Sequence, residues 1–375
     1  MAGIYIHIPF CKKRCTYCDF YTEVAPELMP SLIDSIIKEL RIRKDYLQKV
    51  TVKTIYFGGG TPSVLSETDF EKILDTIYSL YTVDTDAEIT FEANPDDLTI
   101  DYLNSIRSLP FNRISIGIQS FDDADLKRIN RRHTGKQAIE AVRAAQQAGF
   151  KNISIDLIYG LPFQTIETWE RQIDSALNLH VQHISAYGLT YEEGTALWKQ
   201  REKGILKVVD DDTMIEMYGL LVKKLKQNGF DAYEISNFSL PGYRSRHNTS
   251  YWKQEPYLGV GPSAHSYDIM SRQWNVASII DYSKAIMENS SFFEREELTL
   301  YDQYNDFVMV SLRTSDGLDT IQLEEKFGTG LKEYCLKNSK KFIDTNKVDY
   351  SNGKLLLTAE GIQISNLILI ELMKV

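Results

Sequence analysis

From residue 3 to about residue 190, short β-rich runs alternate with helical stretches, and no other feature constrains the fold of this chain as much. The runs Gly3–Ile8, Thr54–Phe57, Glu88–Ala93, Arg113–Ile118, Asn152–Ile158 and His183–Leu189 predict strands. Helical patterns lie between them, near Ser31–Leu47, Glu67–Leu80, Thr99–Ser108, Asp122–Gln147 (one helix or two) and Ile166–Leu179. Such alternation builds βαβ units whose strands lie parallel in one sheet. The stretch Ile153-Ser154-Ile155-Asp156-Leu157-Ile158 suits a strand buried on both faces. The expected fold is α/β, an incomplete (βα)6 barrel over residues 1–190.

Sheets of this kind gather their chemistry at the carboxyl ends of the strands. Cys11 follows the first predicted strand and Gly58-Gly59-Gly60 the second. Glu92 closes the third, Gln119 follows the fourth, and Asp156 lies late in the fifth. One rim of one barrel therefore collects them.

Residues 191–295 read as an irregular, aromatic extension with one clear helix near Asp211–Gln227. Residues 296–375 begin helical. They continue through Phe342–Asp344, a turn at Ser351-Asn352-Gly353, Leu355–Leu357 and a helix from Thr358. That order predicts a C-terminal, mainly helical, winged-helix-like domain. The net charge of −10 argues against nonspecific nucleic-acid binding, so this domain reads as a lid or packing module. The apolar run Gly3–Phe10 is short and interrupted by His7 and Pro9, unlike a signal peptide. Leu367–Leu372 is far too short to cross a bilayer, so a cytoplasmic chain without a membrane span is expected.

Three of the four cysteines fall within eight residues, Cys11-Lys12-Lys13-Arg14-Cys15-Thr16-Tyr17-Cys18. A disulfide scaffold would spread its cysteines along the chain, whereas a cluster of this kind reads as a metal or redox site. Cys335 stands apart on a helical pattern and reads as a small structural residue. Three thiolates on a four-iron cubane leave one iron open to a chelating molecule. The amino and carboxylate groups of S-adenosylmethionine form a five-membered chelate that suits it. Tyr17 offers an aromatic face where an adenine can lie. The alternative is zinc, completed by His7 or a distant ligand. Zinc sites usually show paired Cys-x2-Cys units, and no second pair occurs here.

Cys-x3-Cys-x-aromatic-Cys is the radical SAM signature, and the chain resembles that superfamily. Tyr5-Ile6-His7-Ile8-Pro9-Phe10-Cys11 and Tyr56-Phe57-Gly58-Gly59-Gly60-Thr61-Pro62-Ser63 resemble the oxygen-independent coproporphyrinogen III oxidase group. Within that group the likeness is to its heme-chaperone branch, over nearly the whole chain. The resemblance implies a [4Fe-4S] cluster on Cys11, Cys15 and Cys18. It also implies S-adenosylmethionine contacts at Tyr5, Gly59, Gly60, Thr61, Glu92, Gln119, Arg131 and Asp156, with Thr190 a weaker match. The residue types agree with those roles. Glycines allow close backbone approach, and Arg131 can fork onto a carboxylate. Glu92 opposes an ammonium, and Gln119 and Asp156 can hold ribose hydroxyls. A plain glycine turn and structural polar residues are the alternatives, although a carboxylate within an apolar strand, as at Asp156, needs a partner.

Two departures from the oxidase pattern bear on function. The oxidase has a fourth cysteine two residues after the third, where this chain has Phe20. It also carries an extension ahead of the tyrosine matching Tyr5, where four residues stand here. The segment His247-Asn248-Thr249-Ser250-Tyr251-Trp252 matches the His-Asn-x-x-Tyr-Trp motif of the heme-chaperone branch. Imidazole is a common heme ligand, and Tyr251 and Trp252 suit a flat macrocycle. Arg244, Arg246 and Lys253 stand near enough in sequence to meet propionates. An ordinary loop with a packed aromatic pair is the alternative. His265 is a second candidate beside a Gly-x-Gly that reads as a turn, and His7, His133, His180 and His183 read as local structural residues. The resemblance thus implies a heme chaperone that binds heme, with His247 taking part, and passes it to an acceptor protein, by analogy a membrane respiratory protein. The rival functions are oxidative decarboxylation of coproporphyrinogen III and an unrelated radical SAM reaction.

Overall fold

The computed structural model describes residues 1–374. Strands β1 (Ala2–Ile8), β2 (Val52–Gly59), β3 (Val83–Ala93), β4 (Arg113–Gln119), β5 (Ile153–Tyr159) and β6 (His183–Gly188) pair in parallel, each with the next. Helices α1 (Met29–Ile42), α2 (Glu67–Leu80), α3 (Ile100–Ser105), α4 (Asp123–Arg128), α5 (Gly135–Gln147) and α6 (Ile166–Leu177) connect them. The predicted α/β alternation is therefore present. Asp122–Gln147 is two helices, because Asn130 takes a left-handed φ of 63° and Thr134 caps a new start. Capping boxes at Ser66/Asp69, Thr134/Gln137 and Thr165/Thr168 satisfy the free amides that open α2, α5 and α6.

Strand β1 shows why the sheet forms. Ile4, Ile6 and Ile8 are fully buried on one face, where Leu32, Ile36 and Leu40 of α1 join the same core. Each such side chain stabilises the fold by about 1.5–3 kcal/mol. Tyr5 and His7 alternate to the other face, toward the barrel interior.

Residues 191–295 are not the irregular extension that their sequence suggests. They contain α7 (Ala196–Glu202), α8 (Asp211–Gln227), β7 (Asp231–Ala232), β8 (Asn237–Ser239), α9 (Arg246–Trp252), β9 (Tyr257–Val260), β10 (His265–Tyr267), β11 (Ser271–Asn275), α10 (Ile279–Glu288) and β12 (Phe293–Glu297). Strand β8 pairs antiparallel with β6, and β9 pairs parallel with β1. One twelve-stranded sheet results, in the order β12-β11-β10-β9-β1-β2-β3-β4-β5-β6-β8-β7. Its end strands, β12 and β7, do not pair with each other, so the barrel stays open. The added strands are short, too short for a clear alternation, and they gain hydrogen bonds only by meeting edges formed far away in sequence.

A buried polar knot fastens this segment to α1. Glu39 and Arg43 form an ion pair at 3.2 Å with both side chains inaccessible. Arg43 donates to Gly259 O at 3.2 Å and Gln273 Oε1 at 2.8 Å. Glu39 accepts from the Gly261 amide and the Asn275 amide group, each at 2.8 Å, and from the Tyr282 hydroxyl. Filling the carboxylate's lone pairs in this way is what lets a charge pair sit inside the protein.

The C-terminal unit has its own core around Tyr304, Val308, Leu323, Cys335 and Leu355. Its order is α11 (Leu300–Leu312), β13 (Leu318–Asp319), α12 (Thr320–Phe327), α13 (Thr329–Asp344), β14 (Val348–Ser351), β15 (Lys354–Leu357), α14 (Ala359–Gln363) and α15 (Ser365–Leu372). The strands form a separate sheet, β13-β15-β14, which is a winged-helix-like arrangement. The unit docks on the barrel through the Ser315 amide, 3.1 Å from Tyr233 O, a β-bridge between Glu234 and Thr314, and an Arg272–Asp306 ion pair. Among the described residues no helix is long and apolar enough to cross a membrane.

Candidate functional site

The cysteine loop leaves the carboxyl end of β1 and is tied down at both ends. The Cys11 amide donates to Glu23 O at 3.0 Å, and the Thr16 amide donates to Ile129 O at 3.1 Å. Asn130 donates to Arg14 O at 2.8 Å. Lys12 reaches Asp97 at 2.6 Å, and Asp97 also accepts from Ser63 at 3.0 Å and pairs with Arg132 at 3.2 Å. The loop is thus held by the ends of β3 and β4 as well as its own strand.

Cys11, Cys15 and Cys18 face one cavity of about 450 Å³. Gly59, Gly60, Thr61, Glu92, Gln119, Arg131 and Asp156 line the same cavity, as does Thr190. Sequence residues separated by more than a hundred positions therefore meet on one rim, as the strand-end reasoning expects. Tyr5 is the exception. It does not line the cavity; its ring packs against Tyr56 and His247, and its hydroxyl lies 3.2 Å from His7 Nδ1.

Gly59 and Gly60 are required by close approach. Gly59 has φ +101°, and a Cβ there would lie 2.5 Å from the His7 ring. A Cβ on Gly60 would lie 2.7 Å from Ile8 O. Gln119 adopts a left-handed φ of 67° at the end of β4, an uncommon conformation for a residue with a side chain and a local cost at the cavity wall.

The charged groups of the cavity are incompletely paired. Tyr56 donates to Glu92 Oε1 at 2.7 Å, and burial pushes the Glu92 carboxyl up to about 7. Among the described residues no cation pairs with it. Burial likewise raises Asp156 to about 6, against the hydroxyls of Ser185 and Ser115. Arg131 donates to Asn94 Oδ1 at 2.6 Å and to Gly117 O, lies 3.5 Å from Cys15 Sγ, and has a buried Nε without a partner. Burial pushes the Cys18 thiol up to about 11 and the Cys11 thiol upward also. A positively charged iron centre reverses that burial effect on a thiol. An unpaired buried carboxyl and an unsatisfied guanidinium nitrogen in one cavity fit the ammonium and carboxylate of an amino acid. Tyr17, Ile158 and Leu189 form an apolar wall suited to an aromatic base.

Sequence reasoning missed several contributors. Asn94, Asp97 and Arg132 hold the rim, and Tyr187 closes one side of the cavity. Their signal was positional, since Asn94 directly follows β3 and Tyr187 lies near the end of β6.

His247 has a different place from the one expected of an iron ligand. It is 1% exposed and lies on α9 inside the barrel. Its Nδ1 is 2.8 Å from Thr54 Oγ1 and its Nε2 is 2.8 Å from the Tyr251 hydroxyl. Its ring stacks on Tyr56 with centroids 4.8 Å apart. Burial lowers the imidazole to about 3, so it is neutral, and both nitrogens are already engaged. Glu88 accepts from the Arg246 and His247 amides, each at 3.0 Å, and so anchors the start of α9 to β3. Arg246 pairs with Asp86, while Arg244 and Lys253 face the junction with the C-terminal unit. His7, His133 and His183 are buried, as expected of structural residues.

A three-cysteine loop at the carboxyl rim of an open parallel barrel defines the radical SAM class of protein. The Radical SAM superfamily profile matches residues 5–176, and the HemN C-terminal domain profile matches residues 298–364. The heme chaperone HemW of Lactococcus lactis is 34% identical over 96% of this chain and 94% of its own. That of Bacillus subtilis is 33% identical over 98% of this chain and 97% of its own. The chain belongs to the HemW family. Its fold is also that of coproporphyrinogen III oxidase (HemN) from Escherichia coli, a structure described as a radical SAM enzyme. That match has a TM-score of 0.86 and 23% identity, covering all of this chain and 90% of the other.

Proposed function

We propose that this chain is a heme chaperone: it binds heme and passes it to an acceptor protein, while carrying a [4Fe-4S] cluster and exchangeable S-adenosylmethionine. The observation that carries the cofactor part is the meeting of three thiols, an unpaired Glu92 and a half-satisfied Arg131 in one cavity. The heme part rests on the relatives named HemW and on Phe20, which stands 64% exposed on the cavity rim where the oxidase pattern has a cysteine.

In this reading Cys11, Cys15 and Cys18 hold the cluster, and Glu92 and Arg131 take the ammonium and carboxylate of S-adenosylmethionine. Gly59, Gly60 and Thr61 allow its close approach, and Gln119 and Asp156 hold the ribose. When bound, a reduced cluster and this sulfonium supply one-electron chemistry. The chain's own part is to position the ligand and keep water away. Tyr5 acts from behind, as packing for Tyr56. The aromatic segment of α9 and its flanks serve heme through Trp252 and Lys253, with His247 as internal support.

The test is anaerobic reconstitution with iron and sulfide, followed by titration with heme by absorbance. A second assay supplies coproporphyrinogen III, S-adenosylmethionine and a reductant. Heme uptake without vinyl product supports the chaperone reading. Vinyl product would overturn it in favour of the oxidase.

A further inference from the structure

Where the barrel meets the C-terminal unit, a cavity of about 390 Å³ opens beside α9. Four cationic side chains line it. Arg244 and Lys253 flank α9, and Lys326 and Lys354 come from the C-terminal unit. Two carboxylates also line it, Asp316 as the salt-bridge partner of Arg244, so four cations face two anions and a positive excess remains. Asp319 is occupied as the cap of α12, accepting from the Ile321 amide at 2.8 Å. Asp316 is 64% exposed and stands 3.9 Å from Arg244. Lys326 has no carboxylate partner among the described residues; its ammonium lies 4.8 Å above the Phe307 ring, and burial lowers its pKa.

A positive cavity in a chain of net charge −10 selects for anions locally. Its walls add a second preference. Phe307 and Trp252 give it flat apolar surface, and the Trp252 indole N–H is buried without an acceptor. Trp252 also walls a neighbouring cavity of about 410 Å³. Tyr187 is shared between that cavity and the cysteine cavity. Trp252 and Tyr187 thus set the junction cavity, its neighbour and the cysteine cavity side by side.

We propose that this junction binds a flat, carboxylate-bearing ligand, the propionate edge of heme, with Lys326 and Lys354 closing over it from the C-terminal unit. This rests on the chaperone reading and gives it a place. It also assigns the C-terminal unit a binding role. Charge-assisted hydrogen bonds from two units to one ligand make affinity depend on their relative position.

The experiment titrates the full-length, reconstituted protein with heme, with metal-free protoporphyrin IX and with inorganic phosphate. The double variant Lys326→Glu/Lys354→Glu is compared with Lys136→Glu/Lys340→Glu, which makes the same charge change on exposed helix faces. Tryptophan quenching by protoporphyrin is read in wild type and in Trp252→Phe. The expected result is roughly tenfold or greater weakening for heme and protoporphyrin alike in the cleft variant, no change in the control, and a smaller quenching amplitude in Trp252→Phe, where the other three tryptophans remain. Wild type that takes up heme, with equal affinity in the cleft variant, overturns this placement and leaves the chaperone reading standing. Wild type that takes up no heme overturns both. Charge-dependent phosphate binding with porphyrin affinities unchanged also overturns it, in favour of a small-anion site.

Discussion

The Tyr56 hydroxyl donates to Glu92 Oε1 at 2.7 Å, and the other face of the Tyr56 story is His247, stacked on its ring at 4.8 Å. Glu92 is thereby placed at the cavity wall by residues of β2 and α9. Its carboxyl is raised to about 7 by burial. A raised carboxyl favours the folded protein below the ordinary glutamate range, and that contribution is lost as pH rises through about 7. Binding an ammonium needs the ionised form. S-adenosylmethionine affinity should therefore rise between about pH 6 and about pH 8, with proton release on binding at the lower end. Glu92→Gln should weaken binding by roughly ten- to a hundredfold and flatten the profile. Calorimetry across that range under anaerobic conditions checks both; an unchanged profile in Glu92→Gln would remove Glu92 from the ammonium site.

His247→Ala should destabilise the fold by about 1–3 kcal/mol, because Thr54 and Tyr251 each lose a buried partner. It should weaken S-adenosylmethionine binding through Tyr56. The heme absorption band should keep its position, since the imidazole is not free to meet iron. Thermal melts and heme spectra of the variant separate these effects. A changed iron ligation state would contradict the buried placement.

Each of Cys11→Ser, Cys15→Ser and Cys18→Ser should remove most of the bound iron and sulfide. Cys335→Ser should keep both, because Cys335 is fully buried in the C-terminal core. Iron and sulfide analysis of the four reconstituted proteins decides it.

Glu39→Ala should cost about 3–5 kcal/mol by leaving Arg43 charged and buried without its partner. The loss should appear as a lower denaturation midpoint and as freer proteolysis around β9 to β11. A near-neutral effect would mean that water or Gln273 takes over from the carboxylate.

The barrel strands were legible because each carries its own signal. Ile4, Ile6 and Ile8 alternate locally, and Ile153 to Ile158 form an apolar run. The rim could be inferred too, since parallel connection sends every strand's carboxyl end the same way. Residues 257–260 were not legible as a strand. Tyr257-Leu258-Gly259-Val260 is too short to show a period, and its place depends on the free edge of β1.

His247 shows the same limit for function. Its motif and neighbours permit either an iron ligand or a packed ring, and chemistry alone does not separate them. Accessibility does, and accessibility belongs to the folded chain: Thr54 and Tyr56 come from β2, far away in sequence. The sequence by itself determined the alternation of elements, the spacing of three thiols and the glycines beside them, because those rest on local geometry. The tertiary structure alone decided which polar groups lack partners, which histidine is hidden and where two units enclose a positive cavity. Those depend on distances between residues that only packing brings together.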